Sequence, residues 1–149
     1  MRIVLDTNIL ARAASPSRSP AREVLIRCIE DPHTLLLSAF IVWELSRVLR
    51  YDRVRSIHGL DEAGIERYIA HLESASVTVT LPTIAPKLVV SSDPEDDPIL
   101  TTAVVGEADI LCTLDRHFYH DTVLQYCRRY GVEVIDDVAL LARLRESDG

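Results

Sequence analysis

A chain of 149 residues, 48% of them hydrophobic, has the size and apolar content of one globular domain, which excludes disorder as a description of the whole. The formal charge of −7 excludes capture of nucleic acid by net attraction, though not a polyanionic substrate if some of the acids hold metal. Three cysteines, Cys28, Cys112 and Cys127, form no C-x-x-C pair, so a disulfide framework is excluded in favour of reduced, buried thiols and a cytoplasmic location.

No run approaches the length of a membrane span, and "MRIVLDTN" meets an acid after three apolar residues, unlike a signal peptide. RIVLD (Arg2–Asp6) is short, β-branched and cut off by an acid, which predicts a buried strand. Ser19 before Pro20 is the order of an N-cap and a first helical residue, and Val24, Leu25, Cys28 and Ile29 follow at helical spacing. TLLLS (Thr34–Ser38) predicts a second strand, and AFIVWELSRVLRY a helix capped by Ser38. LDEAGIERYIAHLESA predicts a helix capped by Asp61, with Ile65, Tyr68, Ile69 and Leu72 facing inward, and VTVTL a third strand. After the acidic SSDPEDDP a helix runs from Pro98 through Ala108, DILCTLD predicts a strand, and DTVLQYCRRYG a helix ending at Gly131. VEVID is the last strand and DVALLARLRE the closing helix. DRVRSIHG (Asp52–Gly59) has the weakest pattern and is assigned no element. With no repeat and no linker, residues 1–149 read as a single α/β domain whose parallel sheet is covered on both faces.

The acids fall at telling places. Asp6 and Asp115 end two predicted strands, and Asp97 heads the helix that starts at Pro98. In an open parallel sheet functional groups gather beyond the carboxyl ends of the strands, where the topology reverses, so Asp6 and Asp115 are expected on one rim. Glu44 stands at the margin of the apolar face made by Ile41, Leu45, Val48 and Leu49, where an unpaired carboxylate is costly. Two carboxylates ~4 Å apart repel by about 4 kcal/mol at an effective dielectric near 20. Converging acids must therefore stay apart, hold protons, pair with bases or capture a divalent cation. Hard oxygen donors suit Mg²⁺ or Mn²⁺, and no His or Cys spacing suggests zinc. Mg²⁺ held by one or two carboxylates keeps waters and leaves room for a phosphate oxygen, which implies phosphodiester hydrolysis.

Each acid also has an ordinary reading. Asp97 is a plain N-cap, Asp6 a turn residue after a strand, and Glu44 a surface partner of Arg47 three residues on. Asp93, Glu95 and Asp96 read as solvated or supporting acids rather than ligands.

"VLDTNIL", "SAFIVWEL", "DPEDDPILTTAVVGEADILCTLD" and "VEVID", in that order over essentially the whole chain, resemble the PIN-domain family. These are small metal-dependent ribonucleases, often the toxin of a bacterial or archaeal toxin–antitoxin pair. The resemblance implies a three-layer α/β/α fold with a central parallel sheet of four or five strands. It implies catalysis by Asp6, Glu44, Asp97 and Asp115 on Mg²⁺ or Mn²⁺, with Asp6, Asp97 and Asp115 as the metal ligands and Glu44 orienting or deprotonating the attacking water. Thr7, Asn8 and Thr113 are the implied hydrogen-bonding neighbours of carboxylate or phosphate. Two positions depart from the family's pattern. Arg116 and His117 stand where many relatives carry a further acid, and Leu114 replaces a frequent small residue beside Asp115.

Arg47 and Arg50 near Trp43, followed by Arg53 and Arg55, are candidates to grip RNA, or else form a solvated or subunit-packing face. His117 and His120 read as loop residues rather than acid–base catalysts. By resemblance the partners are RNA, a small antitoxin whose basic residue or tail fills the acidic pocket, and a second copy of the chain, with Trp43, Tyr51 and Tyr68 as the dimer surface. Two other functions are weighed. A non-catalytic RNA- or protein-binding module keeps the same acids. A phospho-acceptor receiver needs a Lys after its last strand, whereas VEVIDD supplies acids and the one Lys is Lys87.

Overall fold

The computed structural model describes residues 1–82, 94 and 97–148. Asp93, Glu95, Asp96 and Lys87 lie outside the described residues.

The strands are β1 (Arg2–Leu5), β2 (Thr34–Ser38), β3 (Val77–Val79), β4 (Ile110–Cys112) and β5 (Glu133–Ile135). They form one five-stranded sheet, all parallel, in the order β3-β2-β1-β4-β5. The composition of each strand matches its rank in that order. IVL of β1, LLLS of β2 and ILC of β4 are buried without alternation, as a strand covered on both faces must be. The edge strands β3 and β5 leave Val77, Thr78 and Glu133 exposed.

The helices are α1 (Thr7–Ala13), α2 (Pro20–Cys28), α3 (Ala39–Val48), α4 (Asp52–His58), α5 (Glu62–Ala75), α6 (Pro98–Val105), α7 (Asp121–Arg129) and α8 (Asp137–Asp148), with a 3-10 turn at Arg116–Tyr119. They flank the sheet and complete the three-layer α/β/α arrangement. The core is aliphatic: Ile3, Leu5, Ile9, Leu10, Leu36, Ile41 and Leu100 are fully buried, and all three cysteines are buried free thiols. Ser19, Ser38 and Asp61 cap α2, α3 and α5 through side-chain bonds to Arg22, Ile41 and Gly64 N–H.

Two helices go beyond the sequence reading. α1 follows β1 with no linker, because Asp6 ends the strand and caps the helix at once, accepting from Thr7 N. α4 occupies the stretch left unassigned. It stops at Gly59, which takes the left-handed conformation (φ 67°) and donates to Arg55 O. Its last residue, His58, is buried. Leu60 N donates to His58 Nδ1 at 2.9 Å, so Nε2 carries the hydrogen given to Leu49 O at 2.8 Å.

The chain builds β1, β2 and β3 outward on one side, then returns to set β4 on the other flank of β1. The reversal lies between β1 and β4, and in an open parallel sheet functional groups gather beyond the carboxyl ends of the strands at such a point. The return passes through α6 and Gly106, which sit tightly on the sheet. A β-carbon at Gly106 would stand 2.8 Å from Val79 Cγ2, 2.9 Å from Thr102 O and 3.0 Å from Leu36 Cδ1. Gly106→Ala should therefore destabilise the fold by about 1–3 kcal/mol through overpacking, read as a lower urea midpoint. An unchanged midpoint would mean that α6 moves off β2 and β3 at no cost.

Candidate active site

Asp6 leaves β1 at the point of reversal. Its N–H donates to Cys112 O at 2.9 Å, which ties it to the end of β4. Its Oδ1 accepts from Thr7 N at 2.7 Å and its Oδ2 from Thr113 Oγ1 at 2.7 Å. Thr113 is itself set by Asp115 N, which donates to Thr113 Oγ1 at 3.0 Å, and by Tyr119 Oη, which donates to Thr113 O at 2.7 Å. Burial pushes the Asp6 carboxyl up to about 6, against the hydrogen bonds from Thr113 and Thr7; the nearby charges of Glu44 and Asp115 add to the rise.

Asp97 caps α6, as its ordinary reading had it: Oδ1 accepts from Ile99 N at 2.8 Å and Leu100 N at 3.3 Å. It is also more than a cap. Burial raises its pKa, the two N–H donors and His117 oppose, and Asp115 adds to the rise. Asp115 is exposed, caps the 3-10 turn through His117 N at 2.9 Å, and lies within electrostatic reach of both Asp6 and Asp97. Glu44 is half-buried on α3 and acts on Asp6. It does not pair with Arg47, whose guanidinium lies 4.7 Å from the centre of the Trp43 ring. Among the described residues Glu44 has no hydrogen-bond or ion-pair partner.

Charge thus links Asp6 with Glu44 and Asp115, and Asp115 with Asp97, residues that come from four separate elements. Among the described residues, no three His, Cys, Asp or Glu side chains stand close enough together to clasp an ion as folded. The donor set nonetheless suits a hard cation that keeps part of its water. It consists of carboxylate oxygens, and among the described residues Thr7 Oγ1 and Asn8 Oδ1, next to Asp6 in sequence, are buried without a hydrogen-bond partner. A buried oxygen without a donor is a cost that a cation or its water removes.

Sequence reasoning missed a second tier. Ser38 not only caps α3; Thr102 Oγ1 of α6 donates to Ser38 Oγ at 2.8 Å, both residues being buried. That bond ties the helix carrying Glu44 to the helix capped by Asp97, and the apolar setting of both hydroxyls was its only signal in the sequence. Asp137, the first residue of α8, is buried as well, and Asp136 caps that helix through Ala139 N.

Several expectations for the surrounding surface change. Arg50 and Arg55 both bind Glu62, and Arg50 also donates to Ser46, so these two arginines fasten α3, α4 and α5 together. Tyr68 is half-buried and donates to Leu10 O at 2.6 Å, which agrees with its place in the inward stripe. Trp43 and Tyr51 remain about half exposed.

The fold and this rim of acids define a small α/β domain of nuclease type. A family model described as PIN domain matches residues 2–117, well over half of the chain, and the chain belongs to the PIN-domain family. PIN domains are usually nucleases and generally use divalent metals. A search of the curated proteins returned no match. No helix among the described residues is long and apolar enough to cross a membrane.

Proposed function

We propose that this PIN domain is a Mg²⁺- or Mn²⁺-dependent endoribonuclease, and that it acts as the toxin of a toxin–antitoxin pair. The observation that carries the catalytic reading is Asp6: a buried carboxylate, raised toward neutrality and repelled by two further acids, at the topological reversal of a parallel sheet. A bound ion would polarise a phosphate oxygen and make a water acidic enough to attack it. Asp6 and Asp97 would hold that ion, with Asp115 completing the set. Thr113 keeps Asp6 in one rotamer by donating to Oδ2. Glu44, without a basic partner among the described residues, would take the proton of the attacking water. Thr7 and Asn8, which follow Asp6 in sequence, carry oxygens unpaired among the described residues.

The partner reading follows from the same charge. A cytosolic nuclease that is toxic to its host needs an inhibitor, and a small antitoxin bearing a basic side chain or tail would fill the acidic rim. A small DNA-binding protein encoded just upstream would support this, and no such neighbour would count against it. Trp43 and Tyr51 offer an exposed aromatic surface for a second copy.

A non-catalytic binding module is the second reading, favoured by the carboxylates standing apart in the described residues. Calorimetric titration with Mn²⁺ separates the two. Protein stripped with EDTA should bind Mn²⁺ below millimolar concentration, with the heat lost in Asp97→Asn; no binding near millimolar metal would favour the module.

A further inference from the structure

We propose that the turn Arg116–Tyr119 and the following His120 form a seat for single-stranded RNA beside the acidic rim, Arg116 holding a backbone phosphate and the rings of His117 and His120 stacking an unpaired base. The seat's place in the reaction rests on the nuclease reading; its binding of RNA does not.

The turn is held firmly from below. Asp115 Oδ1 accepts from His117 N at 2.9 Å, Phe118 N donates to Asp115 O at 3.1 Å, and Phe118 is buried. Tyr119 Oη donates to Thr113 O, the same Thr113 whose hydroxyl is bonded to Asp6. The turn is therefore in fixed register with Asp6 across a single residue. What it leaves outside is basic and aromatic: Arg116, His117 and His120 are all exposed. The two imidazole rings meet edge to face, centres 6.2 Å apart, and the His117 ring rests on the edge of Phe118 at 5.5 Å.

Charge favours such a seat. The chain carries a formal −7, and a phosphate approaching the rim is repelled by Asp115 and Asp97. Of the arginines first suspected of gripping RNA, Arg50 and Arg55 bind Glu62 and Arg47 covers Trp43, while Arg53 is exposed on α4. Among the described residues Arg116 has no hydrogen-bond or ion-pair partner, and it adjoins Asp115. A guanidinium there can take a phosphate in bidentate fashion. A ring pair beside it suits bases splayed from a single strand, because a duplex hides their faces.

The test uses the full chain carrying Asp6→Asn, in EDTA to prevent cleavage, and a fluorescent single-stranded oligoribonucleotide followed by anisotropy. Arg116→Gln should weaken binding about fivefold or more and make the dependence of log K on log salt shallower by about 0.7. His117→Ala and His120→Ala should each weaken it about fivefold or more while leaving binding of the matching RNA duplex unchanged. Arg145→Gln, which removes the same charge from the far end of α8, should have no effect. In the otherwise wild-type chain, Arg116→Gln should raise KM with kcat within about twofold. Single-strand binding that is absent, that survives all three substitutions, or that falls as much with Arg145→Gln overturns the seat. If those binding effects appear but the wild-type chain fails to cleave RNA with Mn²⁺, the seat stands and the nuclease reading falls.

Discussion

Asp6→Asn and Asp97→Asn should each leave about a thousandth or less of the wild-type rate of RNA cleavage, with the fold intact. The loss follows from removing one anionic ligand of a catalytic ion, an effect of several kcal/mol on the transition state, and about 4 kcal/mol is a thousandfold in rate. The fold survives for local reasons. An Asn at position 97 keeps an oxygen to accept from Ile99 and Leu100 N–H and caps a helix as well as Asp does. An Asn at position 6 still accepts from Thr7 N, and its amide can donate to the Thr113 hydroxyl in place of accepting from it. Cleavage of a panel of structured RNAs, with thermal melts of the same preparations in EDTA, checks both halves. Full activity in either variant overturns the nuclease reading. Lost activity with a lowered melting temperature overturns the claim that these two side chains serve the chemistry without being needed for the fold.

The metal-free protein should lose stability as pH rises from about 4 to about 6, and added Mn²⁺ should restore it above pH 6. Burial pushes the folded Asp6 carboxyl up to about 6 from an ordinary 3.8, so the folded state holds a proton that the unfolded chain has given up. Such a group contributes its stability fully below the unfolded pKa and loses it as pH rises through the folded one. At 1.36 kcal/mol for each pKa unit the loss is roughly 3 kcal/mol, and Asp97, also raised, acts in the same direction. The exposed carboxylates of Glu23, Glu62, Glu133 and Asp148 are lowered by their arginine and histidine partners and act in the opposite direction at acid pH. Comparison with Asp6→Asn removes that background. In EDTA at pH 7 the variant should melt several degrees above wild type, and the gap should close toward pH 4. Mn²⁺ should raise the wild-type melting temperature at pH 7 and do so far less at pH 5, where protons compete for Asp6. Identical pH profiles for wild type and variant in EDTA would show that the Asp6 charge is not held at a cost.

The patterns that could be read in the primary order were those whose cause is local. Three uninterrupted apolar runs became the central strands β1, β2 and β4, and the caps at Ser19, Ser38 and Asp61 fell where an oxygen preceded a helical stripe. The margin position of Glu44 was likewise legible from the spacing of Ile41 and Leu45. α4 was not, because its third residue Val54 is only partly buried and Ile57 is exposed. It is kept in place by the left-handed Gly59 and by the buried His58, which reaches Leu49 O across nine residues. Arg50 and Arg55 looked free for RNA because Glu62 lies twelve and seven residues beyond them.

The primary order alone therefore determined an α/β class, a parallel sheet and the acids standing at its strand ends, since each depends on residues a few positions apart. Only the tertiary structure decided that Thr113 donates to Asp6 across 107 residues, that Thr102 reaches Ser38 across 64, and that Asp115 is felt by both Asp6 and Asp97. The reason is geometric. Hydrogen bonds and charges act over a few ångströms of space, and distance along a chain carries no information about that space until the order β3-β2-β1-β4-β5 has been laid down.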